Sequence, residues 1–218
     1  MKRILLALTL IAACAAPTKA VAKRDKVADV RRAFHATVAL ENRMGDVFCS
    51  GVIVDHKVMT AWHCTRSGRA IYVNGVDGRW EAAVWGTDHT ADLAVLVPVD
   101  GRKLPKGVAL ARRAPSWGAD VWVIGHPLGT YDYSITKGIV SHPHRENGIY
   151  GGKWMQHDAG TAGGNSGGPV LNKHGRLVGI TSFGVLNGLY CAVACPGVYQ
   201  DTHLAGAVHL DPIRHLLR

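Results

Sequence analysis

The chain has 218 residues and a mass of 23.3 kDa, enough for one sizeable domain or two small ones. With 47% apolar and 19% charged residues it is neither disordered, collagen-like nor coiled coil. The net charge of +9 falls to +6 without Lys2, Arg3 and Lys19, and the remaining Lys and Arg are scattered, with no basic run interleaved with aromatics to mark a nucleic-acid binder.

Residues 1–20 read as an export signal. Lys2 and Arg3 start it, residues 4–16 are apolar except for Thr9, and small residues surround a cut near Ala20 or Ala22. Ile11-Ala12-Ala13-Cys14 also resembles a bacterial lipoprotein box, in which case Cys14 becomes a lipid anchor. Both routes predict an exported chain, periplasmic or secreted, or tethered to a membrane by that lipid. Discarding Cys14 leaves Cys49, Cys64, Cys191 and Cys195, an even number suited to an oxidising compartment. Local pairing, Cys49 with Cys64 and Cys191 with Cys195, fits the spacing best. A zinc site from Cys191, Cys195 and a histidine is the rival, but no second ligand pair follows at a typical distance.

Residues 23–33 are charged and mixed, an arm or short helix. Short β-prone stretches then cover 36–40, 47–54, 57–60, 71–74 and 81–85, divided by turns at Gly45-Asp46, Asp55-His56, Asn74-Gly75 and Asp77-Gly78. Residues 93–97 form a continuous apolar strand, and 108–111 close this half. A second set covers 121–124, 135–141, 154–157, 169–171, 177–181 and 207–210, with a turn over 125–129. Strands at this spacing predict an all-β barrel or sandwich. Asp211 as N-cap, Pro212 at the first helical position and the apolar stripe Ile213, Leu216 and Leu217 predict one short closing helix. The boundaries expected are a signal over 1–20, a first half over 28–115 and a second over 116–218.

Three separated features converge on one mechanism. Ser166 lies inside Gly163-Gly164-Asn165-Ser166-Gly167-Gly168, where a tight turn exposes its hydroxyl and frees backbone N–H groups to meet an oxygen. Serine needs a base that titrates near neutrality, and His63 in Thr60-Ala61-Trp62-His63-Cys64 supplies an imidazole. The imidazole needs a carboxylate to hold one tautomer. Asp92 is the candidate because it abuts a buried-looking strand; Asp88 lies four residues earlier, and either acid also suits a turn cap.

These motifs, in the order His, Asp, Ser, resemble the trypsin/chymotrypsin superfamily, and most nearly its HtrA-type bacterial members. The similarity runs over residues 38–217 and includes 123–129, 136–141 and Asp158-Ala159. It implies two six-stranded antiparallel β-barrels with a cleft between them. His63 and Asp92 would come from the first barrel and Ser166 from the second, with an oxyanion hole from the N–H groups of Gly164 and Ser166. It further implies that Ser182 supports Asp92, that the backbone of Ser182, Phe183 and Gly184 pairs with substrate as an added strand, that Gly160 lies at the base of the specificity pocket, and that Cys49 and Cys64 form the disulfide bracing the histidine loop.

The chain also departs from the family. Asn165 replaces the aspartate that pairs with a freed N-terminus on zymogen cleavage, and there is no Ile-Val-Gly-Gly start, so activity without proteolytic activation is expected. The end at Arg218 predicts a lone peptidase domain without C-terminal PDZ domains. The absence of an acid at Gly160 predicts a small or medium apolar side chain before the scissile bond. His142, His144 and the other histidines lack a carboxylate or cysteine at ligand spacing and read as surface residues, so no metal or cofactor is expected. Trp62, Trp80, Trp85, Trp117, Trp122 and Trp154 read as barrel packing. The expected partner is a polypeptide substrate and the expected function an exported serine endopeptidase. The alternatives are a catalytically silent, peptidase-like module that only binds polypeptide, and a lipid-tethered quality-control or host-interaction protein.

Overall fold

The computed structural model describes residues 30, 32–130, 132–146, 150–186, 189–191 and 204–218, with backbone alone at 185, 186 and 189–191. Residues 1–20, read as an export signal, with Cys14, and Cys195 with any partner it has, lie outside these residues. No helix among the described residues is long and apolar enough to cross a membrane.

After a 3-10 turn at Arg32–Ala36 come β1 (Thr37–Glu41), β2 (Val47–Val54), β3 (Lys57–Thr60), β4 (Ile71–Gly75), β5 (Gly78–Asp88) and β6 (Leu93–Pro98). They close in the order β1-β2-β3-β6-β5-β4. Local chemistry sets the hairpins. Val54 pairs with Lys57 across Asp55 and His56, whose φ values of 46° and 65° give the left-handed two-residue turn that matches strand twist. Leu93 to Leu96 are all 0% exposed. One face of β6 fills the barrel and the other is covered in part by the C-terminal helix, so this strand reads as a continuous apolar run rather than an alternating one.

The second half contains β7 (Asp120–Gly125), β8 (Ser134–Arg145), β9 (Trp154–His157), β10 (Pro169–Asn172), β11 (Leu177–Leu186), β12 (Leu189–Cys191) and β13 (Ala205–Val208). The ring β10-β7-β8-β9-β13-β11 is closed by pairing of β10 with β11, and β12 hangs on β11. The fold is therefore two six-stranded antiparallel barrels and one short helix, the class the sequence predicted.

Three local expectations need correction. Residues 108–111 are no strand: Gly107 bridges to Val54 and Leu110 to Leu177, so this segment ties one barrel to the other. β12 carried no clear sequence signal. The last strand ends at Val208, and helix α1 (Leu210–Leu216) is capped by His209, not Asp211. His209 is extended, at φ −71° and ψ 160°, and its ring accepts from the Asp211 N–H; Asp211 is already helical and free to serve the macrodipole instead.

Helix α1 follows every strand of the second barrel yet packs against β5, β6 and β11. Ile213 is 0% exposed and belongs to the same apolar cluster as Leu93 and Leu96. Leu216 packs over Gly86, its Cδ1 3.6 Å from where a Cβ there would lie. That cluster continues through Ile124, Leu171, Leu177 and Ile180, so the two barrels share one apolar interior. Truncating Ile213 opens a cavity in it. Ile213→Ala is expected to destabilise the protein by about 2–5 kcal/mol, measured as a lower midpoint of urea unfolding followed by tryptophan fluorescence.

Candidate active site

Strand β3 ends at Thr60, and the chain turns at once into a 3-10 turn over Trp62–Cys64. A disulfide between Cys49 and Cys64 staples that turn to β2. The turn presents His63 beside the segment before β6. Asp92 sits there with φ +54°, a left-handed conformation that costs a non-glycine residue about 1 kcal/mol or more. Asp88 caps this turn through Ala91 N–H (2.9 Å), which leaves Asp92 for His63.

The Asp92 carboxylate is only 2% exposed and is surrounded by donors. Oδ1 accepts from the His63 backbone N–H at 2.9 Å and lies 3.1 Å from Nδ1. Oδ2 lies 2.9 Å from Nδ1 and accepts from Ser182 Oγ at 2.5 Å. A carboxylate only accepts, so His63 Nδ1 carries the proton and Nε2 keeps its lone pair. Ser182 reaches this point because β11 is irregular: pairing with β13 skips it between Thr181 and Phe183, and the bulge turns its side chain toward the first barrel.

Ser166 stands opposite. Ser50 N–H donates to its carbonyl oxygen at 2.8 Å, and Cys64 Sγ lies 3.9 Å from the same oxygen. Its Oγ donates to the Ser182 carbonyl at 3.5 Å, and no hydrogen bond joins it to His63. The serine is thus brought beside the His63–Asp92 pair with its hydroxyl turned toward β11. Such bonds are often unformed in the absence of substrate. Gly167 (φ +85°) is pressed so closely on Thr60 and Ser50 that no side chain fits. The N–H groups of Gly164 and Ser166 donate to nothing among the described residues, while Asn165, Gly167 and Gly168 N–H all have acceptors. Two neighbouring unpaired donors beside a hydroxyl are what an oxyanion hole requires.

The remaining predicted positions are less uniform. Thr136 Oγ1 donates to the Gly160 carbonyl at 2.7 Å, and a methyl group on Gly160 would meet only Thr136 Cγ2, at 3.9 Å, so space opens there. The Phe183 ring is buried against Gly206 and edge-on to Trp154 at 4.9 Å. Gly184 is paired on both edges, with Ala205 and with Cys191 of β12, so a substrate strand at Gly184 would have to displace β12. The Cys191 side chain and Cys195 lie outside the described residues. The Cys49 and Cys64 sulfurs lie near His63 but are bonded to each other and offer no thiolate to a metal.

Several side chains escaped the sequence reading. Tyr150 lies nearly parallel to His63, with ring centres 6.3 Å apart, and stands edge-on to Trp62 at 5.7 Å. Burial and the nearby Asp92 charge raise its phenol pKa. The histidines are not all on the surface: His126, His157 and His209 are 5%, 0% and 5% exposed. Trp85 and Trp117 are 52% and 61% exposed and do not pack the barrels; Trp85 lies under Lys57 and Trp117 beside His142. Nothing in residue spacing distinguishes these cases, because each depends on which face of a strand or loop turns inward.

The matched family model, trypsin-like peptidase domain, spans residues 49–180. The chain belongs to the trypsin-like peptidase family. It is 38% identical over 141 residues to a probable periplasmic serine endoprotease, DegP-like, of Pseudomonas putida, covering 61% of this chain and 28% of that one. It is 38% identical over 138 residues to the serine endoprotease DegS of Escherichia coli, covering 61% and 39%. The chain thus matches well under half the length of these relatives. Among solved structures, the serine endoprotease from Yersinia pestis superposes with a TM-score of 0.68 at 28% identity, over 89% of this chain and 65% of that one.

His157 sets an acid limit on the whole site. Burial lowers its pKa from 6.5 to about 4, and Asp158 with the Ala159 backbone offsets this only in part. Unfolded, the ring takes a proton near pH 6.5; folded, it resists. Its contribution is therefore intact above about 6.5 and is lost as pH falls toward 4, on the order of 3 kcal/mol in all. His157→Leu is expected to flatten the pH dependence of the urea midpoint between pH 6.5 and 4.

Proposed function

We propose that this chain is an exported serine endopeptidase that acts through an acyl-enzyme. The observation that carries the reading is the buried Asp92 bonded to His63 Nδ1, with Ser166 and two unpaired N–H groups alongside. His63 Nε2 takes the proton from Ser166 Oγ as that oxygen attacks the scissile carbonyl. Asp92 holds the imidazole in the required tautomer and stabilises the imidazolium that forms. The N–H groups of Gly164 and Ser166 meet the oxyanion. The imidazolium then protonates the leaving amine, and water repeats the sequence to release the acyl group. The attack requires Ser166 Oγ to leave the Ser182 carbonyl and turn to His63, a side-chain rotation.

Substrate would bind as an extended strand along Ser182 to Gly184, displacing β12 from its pairing at Gly184. The space at Gly160, bordered by Thr136 and without an acid, favours a small or medium apolar side chain before the scissile bond. Activity without proteolytic activation is supported by Asn165, which is neutral and 5% exposed, with Oδ1 unpaired among the described residues. A freed ammonium arriving there would find no counter-charge. Export rests on residues 1–20, with either a cleaved leader or a lipid on Cys14, and is supported by the periplasmic location in the relative's name. The halves 28–115 and 116–218 would each supply one wall of the cleft.

The bond from Ser166 to Ser182 favours, as second reading, a silent module that binds polypeptide without cleaving it. A fluorophosphonate probe separates the two. Labelling of the wild type, with none of Ser166→Ala, is expected. His63→Ala should lower peptide hydrolysis roughly 10⁴–10⁶-fold in protein shown to be folded by thermal melting. An inert wild type that still binds unfolded polypeptide would establish the silent module.

A further inference from the structure

The Ser50 side chain, in β2, is completely buried at the junction of three segments. Its Oγ donates to the Gly164 carbonyl at 2.8 Å. The His126 backbone N–H donates to it at 3.0 Å, and His126 Nδ1 lies 3.1 Å away. The His126 ring is packed on Tyr133 with centres 4.6 Å apart. The turn that carries His126 also grips the preceding peptide: Leu128 N–H donates to the Gly163 carbonyl at 2.5 Å, and Gly129 N–H to the His126 carbonyl at 3.2 Å. Gly164 (φ +94°) lies so close to that carbonyl that any side chain would collide with it.

Hydrogen counting allows two arrangements. A hydroxyl has one hydrogen and two acceptor sites. If His126 Nδ1 carries the ring proton, Ser50 Oγ accepts from both the His126 N–H and Nδ1–H, and its own hydrogen goes to Gly164. If Nε2 carries it, Nδ1 becomes an acceptor and competes with Gly164 for that hydrogen. Burial lowers the pKa of His126, partly offset by Asp132 and Glu41, so the neutral ring and its tautomer are what matter. In a trans peptide the Gly164 N–H points away from the Gly163 carbonyl. With that carbonyl held by Leu128, the N–H faces the other way. Ser50 holds the peptide on the far side of the same residue. Gly164 is thereby fixed on both flanks while its own N–H stays unpaired.

We propose that His126, acting through Ser50, is a positioning residue for the oxyanion hole: its Nδ1–H commits the Ser50 hydroxyl to Gly164 and so aims the Gly164 N–H at the reacting oxygen. This deepens the peptidase reading and rests on it. Neither side chain touches substrate, so the effect belongs to the chemical step and not to binding. Loss of one oxyanion donor outright slows catalysis about 10²–10³-fold; loss of its aim is a fraction of that.

The test is the kinetics of fluorophosphonate labelling of the full chain, separating the maximal inactivation rate from the inhibition constant. His126→Ala and Ser50→Ala are each expected to lower the maximal rate about 10–100-fold, with the inhibition constant within about twofold. His126→Asn should recover most of the loss, because its amide N–H stands near the position of Nδ1–H. Ser50→Ala deletes one hydroxyl without changing the packing, so it serves if His126→Ala does not fold, as judged by thermal melting. A labelled wild type with the maximal rate unchanged in Ser50→Ala overturns this inference alone. So does an effect confined to the inhibition constant, or His126→Asn no better than His126→Ala in folded protein. A wild type that is never labelled at Ser166 overturns the peptidase reading, and this inference with it.

Discussion

A carboxylate cut off from water stays charged only if donors replace the water it lost. Asp92 meets that condition with groups from both barrels: the backbone and ring of His63 from one side, and the hydroxyl of Ser182 from the other. The left-handed backbone at Asp92 is tolerated because these bonds determine it several times over. The same bonds settle which nitrogen of His63 carries hydrogen, and therefore which one faces Ser166. Position and chemistry of the site thus descend from a single buried negative charge.

Close backbone contact supplies the rest. Ser50 joins the two barrels with two groups and braces its own barrel with a third. Its N–H donates to the Ser166 carbonyl, its carbonyl accepts from Thr60 Oγ1 at 2.7 Å, and its hydroxyl holds Gly164. Such crowding leaves no space for a Cβ at Gly164 or Gly167, which explains why the serine is embedded among glycines. Gly167 is crowded by Thr60 and Ser50 of the other barrel and Gly164 by the His126 carbonyl of its own, and both adopt a left-handed backbone.

Much of this could be read along the chain. Strands β2, β3 and β9 fall where alternation and turn residues place them, and the left-handed pair Asp55-His56 was marked as a turn by residue type alone. The His63, Asp92 and Ser166 motifs were legible because each contains an unusual local combination. What escaped depends on distance in space. Tyr150 beside His63, the burial of His126 and His157, and the bond from Ser50 to Gly164 join residues with no shared local pattern. The cap of α1 was misassigned because Asp211 is the stronger capping type, yet it lies two residues inside the turn that His209 begins. Residues 108–111 looked like a strand because they are apolar; they and Gly107 make only isolated bridges, one to each barrel, with Val108 and Ala111 buried.

Among the described residues helix α1 follows all thirteen strands in sequence but seals apolar surface on the barrel assembled from the first six. As the chain leaves the ribosome, that earlier barrel emerges long before its cover. Its interior stays incomplete until the carboxyl-terminal turn docks. Order of appearance therefore opposes order of packing: the barrel made first is covered by a helix made after the strands of the second.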